Sequence, residues 1–153
     1  MKRWVKFGLL NALVGVIIGV QITIAAIGSG YWVLILAAPV AVFLTAGLVW
    51  RFLQGEANPI QSKRLFTIGL LTGTVSHYLT WIRLDVALDL LWWAGIYSGS
   101  SLGDPPPSFL ESLKWSFTGT FISLLVYGWI TVPASILAGF VVRRLEDGSA
   151  RTD

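Results

Sequence analysis

The stretch LFTIGLLTGTVSHYLTWIRLDVALDLLWWAGIY, residues 65–97, decides the fold. It is apolar for most of its length, yet it does not suit a single membrane crossing. Thirty-three residues of helix would measure about 50 Å, and roughly 20 residues are enough to cross the hydrocarbon. Arg83, Asp85 and Asp89 divide it. The part up to Arg83 has the length of a span, whereas Leu84–Tyr97 is too short to cross alone. Asp85 and Asp89 are four residues apart and share one helical face, with Trp92, Trp93 and the leucines covering the rest. Leu84–Tyr97 is therefore expected to extend the third helix beyond the outer surface, or to lie in the interface after a bend.

Working outward, the sequence holds three more long apolar blocks, at about 7–27, 31–52 and 115–142. The chain is 55% hydrophobic and 12% charged over 153 residues, about half the charge of a soluble domain. Its apolar residues come in blocks, not amphipathic stripes, which is the signature of membrane helices. The expected fold is all-α: a polytopic membrane protein whose single domain, residues 1–145, is a four-transmembrane-helix bundle. Its helices lie at about 7–27, 31–52, 65–83 (extending or bending to 97) and 109–144, and a short polar tail, 146–153, is expected to fray. Lys2, Arg3 and Lys6 resemble the basic start of a signal peptide, but the apolar run behind them exceeds a signal core, so an uncleaved helix is expected. Three prolines, Pro105–Pro107, hold the last loop extended. Ser108 and Glu111 then have the spacing of a capping box that starts the fourth helix at Phe109.

With the N-terminus in the cytoplasm, the inner segments hold nine basic residues: Lys2, Arg3, Lys6, Arg51, Lys63, Arg64, Arg143, Arg144 and Arg151. Only two, Arg83 and Lys114, fall outside. This positive-inside bias predicts that both termini are cytoplasmic and fits a bacterial inner membrane. It also explains the net charge of +3 without a nucleic-acid partner, since no soluble basic stretch with interleaved aromatics is present.

Candidate chemistry is sparse. His77 is the single histidine and there is no cysteine, which excludes thiolate metal sites, thiol catalysis, a complete zinc site and bis-His haem. No cofactor or metal is expected. Trp81, Asp85 and Asp89 follow His77 at steps of four and would form one ascending polar stripe, a candidate proton or cation path. Arg83 lies about 240° around the helix from His77 and is expected to snorkel or to pair with Glu111, Asp104 or another subunit. Small residues recur at spacing four: Gly15 and Gly19, Gly69 and Gly73, Ser135 and Gly139. Such pairs let helix backbones approach closely within a chain or between copies. No phosphate-binding glycine loop, no paired intramembrane carboxylates and no geometrically reasonable Ser–His pair is present. The sequence favours a non-enzymatic accessory, scaffolding or self-associating subunit. The alternative is a small oligomeric transporter or channel that uses the His77, Trp81, Asp85, Asp89 stripe.

Overall fold

A computed structural model describes residues 1–26, 30–56, 59–99 and 104–149. It is all-helical, with four α-helices and no strand among the described residues. They are α1 (Arg3–Ala25), α2 (Leu34–Leu53), α3 (Ser62–Trp93) and α4 (Phe109–Ser149), with a 3-10 turn at Tyr31–Val33 leading into α2. Three helical segments, Arg3–Ala25, Tyr31–Leu53 and Phe109–Gly148, are long and apolar enough to cross a membrane. The more polar α3 is not among them. Threonines, Ser76 and His77 dilute its apolar content, and of these Thr72, Ser76 and His77 enter the helix packing.

The helices run up and down in ring order. Gly15 meets Ala38 and Pro39, and Gly19 meets Leu34, so α1 and α2 are antiparallel. Gly69 meets Ile136 and Gly73 meets Val132, so α3 and α4 are antiparallel too. α2 packs on α3 and α1 on α4, and among the described residues the backbones of the diagonal pairs do not come close. Two apolar clusters mark the ends of the packed region. One gathers Phe7, Trp50, Leu65, Ile68 and Val142 from all four helices; the other joins Val33, Leu34, Ala37 and Leu84. Burying such side chains against each other, and not lipid, is a matter of close fit, because lipid is as apolar as the core.

Several boundaries differ from the sequence expectation. α3 is one continuous helix of 32 residues to Trp93, unbroken at Arg83 and ending before Tyr97. It stops because Gly95 takes a left-handed φ of 69°. There the Gly95 N–H donates to Trp92 O and the Ile96 N–H to Leu91 O, which is the Schellman arrangement. α4 starts at Phe109 as expected, but the cap is only half the expected one. Glu111 reaches back to the Ser108 N–H at 3.0 Å, while the Ser108 hydroxyl donates to the same carboxylate at 2.6 Å. α4 also outlasts 144, running to Ser149. Residues 146–149 are thus helical where a frayed tail was expected. Pro39 and Pro133 lie inside α2 and α4, which continue through them. Parts of the α1–α2 turn, the Pro-rich loop at 100–103 and Arg151 lie outside the described residues.

The far end of α4 is helical because it is tied down. Glu146 accepts from Lys6 Nζ at 2.5 Å and from Arg3 Nε at 3.1 Å. Arg3 and Trp4 donate their backbone N–H groups to the Glu56 carboxylate, each at 3.1 Å. Glu56, from the segment after α2, therefore caps the start of α1, where the helix dipole favours a negative charge. One clasp joins the N-terminus, the α2–α3 connection and the end of α4.

Two outcomes follow from this packing. A Cβ at Gly69 would sit 2.5 Å from Ile136 Cα, whereas one at Gly128 meets only the Leu124 side chain, at 3.4 Å. Gly69→Ala should therefore cost about 1–3 kcal/mol, and Gly128→Ala should cost nothing measurable, in unfolding titrations with sodium dodecyl sulfate. The second outcome concerns pH. Hydrogen bonds from Lys6 and then Arg3 hold the Glu146 carboxyl below the ordinary carboxylate range. Its contribution, about 1 kcal/mol or less for a pair this exposed, is present at neutral pH and is lost as pH falls through the depressed value. Glu146→Gln should be less stable than the natural chain at pH 7 and should lose less on acidification in the same titration.

Candidate functional site

His77 points from the middle of α3 toward α4. It sits one turn above Gly73, whose missing side chain lets the α4 backbone come close at Val132. Two α4 hydroxyls then reach the imidazole: Ser123 Oγ lies 2.9 Å from Nδ1 and Thr131 Oγ1 lies 2.9 Å from Nε2. The Ser123 hydroxyl donates to Thr120 O at 3.1 Å, leaving its lone pairs to accept from Trp81 Nε1–H at 3.3 Å and from His77. With that proton committed, His77 Nδ1–H donates to Ser123. The Thr131 hydroxyl is shared between His77 Nε2 and Gly73 O, the latter at 3.4 Å, and its one proton serves one of them at a time. The ring links two helices, and both of its nitrogens lie within hydrogen-bond distance of α4 hydroxyls.

Beside this link is a cavity of about 70 Å³ at the centre of the four helices. His77, Ser76 and Thr80 of α3, Ser123 and Ser135 of α4 and Asn11 of α1 supply its polar wall. The rest of its wall is apolar, from Val14, Ile18 and Ile22 of α1 and Leu34, Ala38 and Val42 of α2. Asn11 and Ser135 close one side. The Ser135 hydroxyl donates to Asn11 Oδ1, and Asn11 Nδ2 donates to Phe7 O at 2.8 Å. Both residues are buried, so this pair joins α1 to α4 in an apolar setting where an unpaired amide would be costly.

The predicted stripe has the expected direction but not the expected continuity. His77, Trp81 and Asp85 all face α4. The Trp81 indole lies against Gly119 and lines the cavity from above. Asp85 sits beside the Ser112 and Ser116 hydroxyls, with Asp89 next to it. Neither aspartate lines the cavity. The four residues share a face and divide into two environments, with Trp81 between them. Arg83 lies on the other side of α3, in the groove with α2. Among the described residues it has no carboxylate within salt-bridge distance, and Glu111 is engaged by Ser108 instead.

The small-residue rows are occupied inside the chain. Gly15 and Gly19 face α2, Gly69 and Gly73 face α4, and Gly139 faces the Leu65 side chain. Ser135 turns toward α1 instead. Sequence reasoning missed the clasp of Glu56 and Glu146. Spacing along one helix carries no sign that a loop carboxylate caps a helix start 53 positions earlier. The described residues hold no group of three or more His, Asp or Glu side chains able to bind a metal ion.

The His77 link has a measurable weight. His77→Ala should cost about 1–2 kcal/mol, as expected for an interhelical hydrogen bond in a membrane protein. Combined with Ser123→Ala, it should cost less than the sum of the single changes, because the two share one interaction. Additive losses in a double-mutant cycle would show that the ring and hydroxyl do not act together. Comparison of the chain with protein-family models, curated proteins and solved structures found no match.

Proposed function

We propose that this chain is a four-span protein of a bacterial inner membrane, with both termini in the cytoplasm, that serves as a non-enzymatic accessory or scaffolding subunit of a membrane assembly. α3 is the fourth span in this reading. Its Leu65 belongs to one apolar cluster and its Leu84 to the other, and the 19 steps between them rise about 29 Å, the thickness of the hydrocarbon. α1 and α2 connect the same two levels, with Phe7 and Trp50 in one cluster and Leu34 in the other. The charge asymmetry sets the orientation. The remainder of α3 and the first turns of α4 then form a small outer structure, level in part with the α1–α2 turn, where Gly30 approaches Leu88 and Tyr97.

A single observation carries the functional reading. The one histidine, the group best suited to move a proton within the spans, has both nitrogens engaged by the chain's own hydroxyls. Polar groups that tie helices together favour a rigid component over a conduit. A second reading, a small oligomeric transporter or channel, draws support from the mostly apolar cavity beside His77, which Ser76, Thr80 and Ser123 also edge.

Flux separates the two. Purified protein in liposomes loaded with a pH-sensitive dye should pass no protons or monovalent cations above the lipid background, and His77→Ala should change nothing. Flux that His77→Ala abolishes would replace the scaffolding reading with the transport one. Orientation is checked separately, since the chain has no cysteine. In right-side-out vesicles a membrane-impermeant maleimide should label Pro106→Cys and spare Lys63→Cys.

A further inference from the structure

The groove between α2 and α3 opens away from the His77 cavity. It is a continuous depression of about 770 Å³ whose walls are apolar side chains, among them Leu36 and Val40 of α2 and Leu79 and Ile82 of α3. Trp32 stands at one end, half exposed. Its α3 wall runs from Leu79 to Leu91, about 18 Å, with Arg83 one turn from the Leu79 end. One charged group lines it, the Arg83 guanidinium. No carboxylate among the described residues lies within salt-bridge distance of it. Asp85 and Asp89, its nearest acidic neighbours in sequence, belong to the face turned to α4, where Ser112 and Ser116 stand beside Asp85.

We infer that this groove is a binding site for an anionic phospholipid of the outer leaflet. The phosphate sits on Arg83, and one acyl chain runs inward along Leu36, Val40, Leu79 and Ile82. An uncompensated arginine at the edge of the hydrocarbon requires a negative partner or a route to water. A guanidinium presents paired N–H donors that match two phosphate oxygens. The groove offers what an acyl chain needs, apolar walls and no competing charge, and Leu36, Val40, Leu79 and Ile82 line the part that leads inward from Arg83. Trp32 is the residue type that favours the headgroup level. The placement of Arg83 at the outer interface rests on α3 being the fourth span; binding of the lipid in detergent does not depend on it.

Native mass spectrometry of the full chain in detergent tests the site, with phosphatidylglycerol and phosphatidylcholine of identical acyl chains as probes. The natural chain should retain one phosphatidylglycerol about fivefold more strongly than phosphatidylcholine, the discrimination expected of one interfacial arginine. Arg83→Gln should remove that preference, and Arg83→Lys should keep part of it. Val40→Trp, which fills the groove and leaves Arg83 in place, should weaken retention of both lipids. Arg143→Gln with Arg144→Gln, at the opposite end, should leave the preference intact. Unchanged retention in Arg83→Gln would overturn the site. So would loss of the preference only in the Arg143, Arg144 variant, or a lipid-free dimer that Arg83→Gln dissociates. Unfolding midpoints in sodium dodecyl sulfate, expected unchanged in Arg83→Gln, separate lost binding from lost fold. A failed labelling pattern would instead count against the four-span topology.

Discussion

The rest of the structure depends on how closely α3 and α4 approach at Gly69 and Gly73. A Cβ at either position would fall on the backbone of Ile136 or Val132, so only glycine allows the two helices to lie this near. In lipid there is no hydrophobic gain from bringing two apolar helices together, and close contact between backbones takes its place. The same device holds α1 on α2 at Gly15 and Gly19. The fold is two tightly packed antiparallel hairpins joined by looser contacts, α2 on α3 and α1 on α4.

This difference in tightness explains where the polar groups sit. Once Gly73 has brought α4 against α3, Ser123 and Thr131 can hydrogen-bond His77 directly, which binds the second hairpin at mid-height. The hairpins themselves meet less closely, and the cavity beside His77 lies between them. Where α1 meets α4, polar contacts join them: Asn11 with Ser135 in the interior, and Arg3 and Lys6 with Glu146 at the end. The first is sheltered from water and permanent at any pH that proteins tolerate. The second is partly exposed, and its strength follows the charge on one carboxylate.

Much of this was legible in the sequence. Blocks of apolar residues announced helices, and three of the four helical segments are apolar enough to cross a membrane. The steps of four in Gly69, Gly73, His77 and Trp81 placed these residues on one face, because helical periodicity is a local property. The angular offset of Arg83 from His77 was legible for the same reason. Less legible were the ends. The stop of α3 depends on Gly95 adopting a left-handed backbone, and the persistence of α4 to Ser149 depends on a contact with residues at the other end of the chain.

Taken alone, the sequence determined the class of fold, the faces of each helix and the asymmetry of charge. All three follow from composition and from the 3.6-residue period. Only the tertiary structure decided which faces meet. Gly69 and Gly73 could equally have met a second copy, and Asp85 could have shared a cavity with His77. Instead α4 covers the glycines, and Trp81, seated on Gly119, separates His77 from the aspartates. The physical reason is that the partner of a helix face is chosen by steric fit across residues distant in the chain, which no local pattern encodes. The extended third segment of the sequence, residues 65–97, thus became one helix of two characters: a polar seam toward α4, and toward α2 an apolar groove with a single arginine.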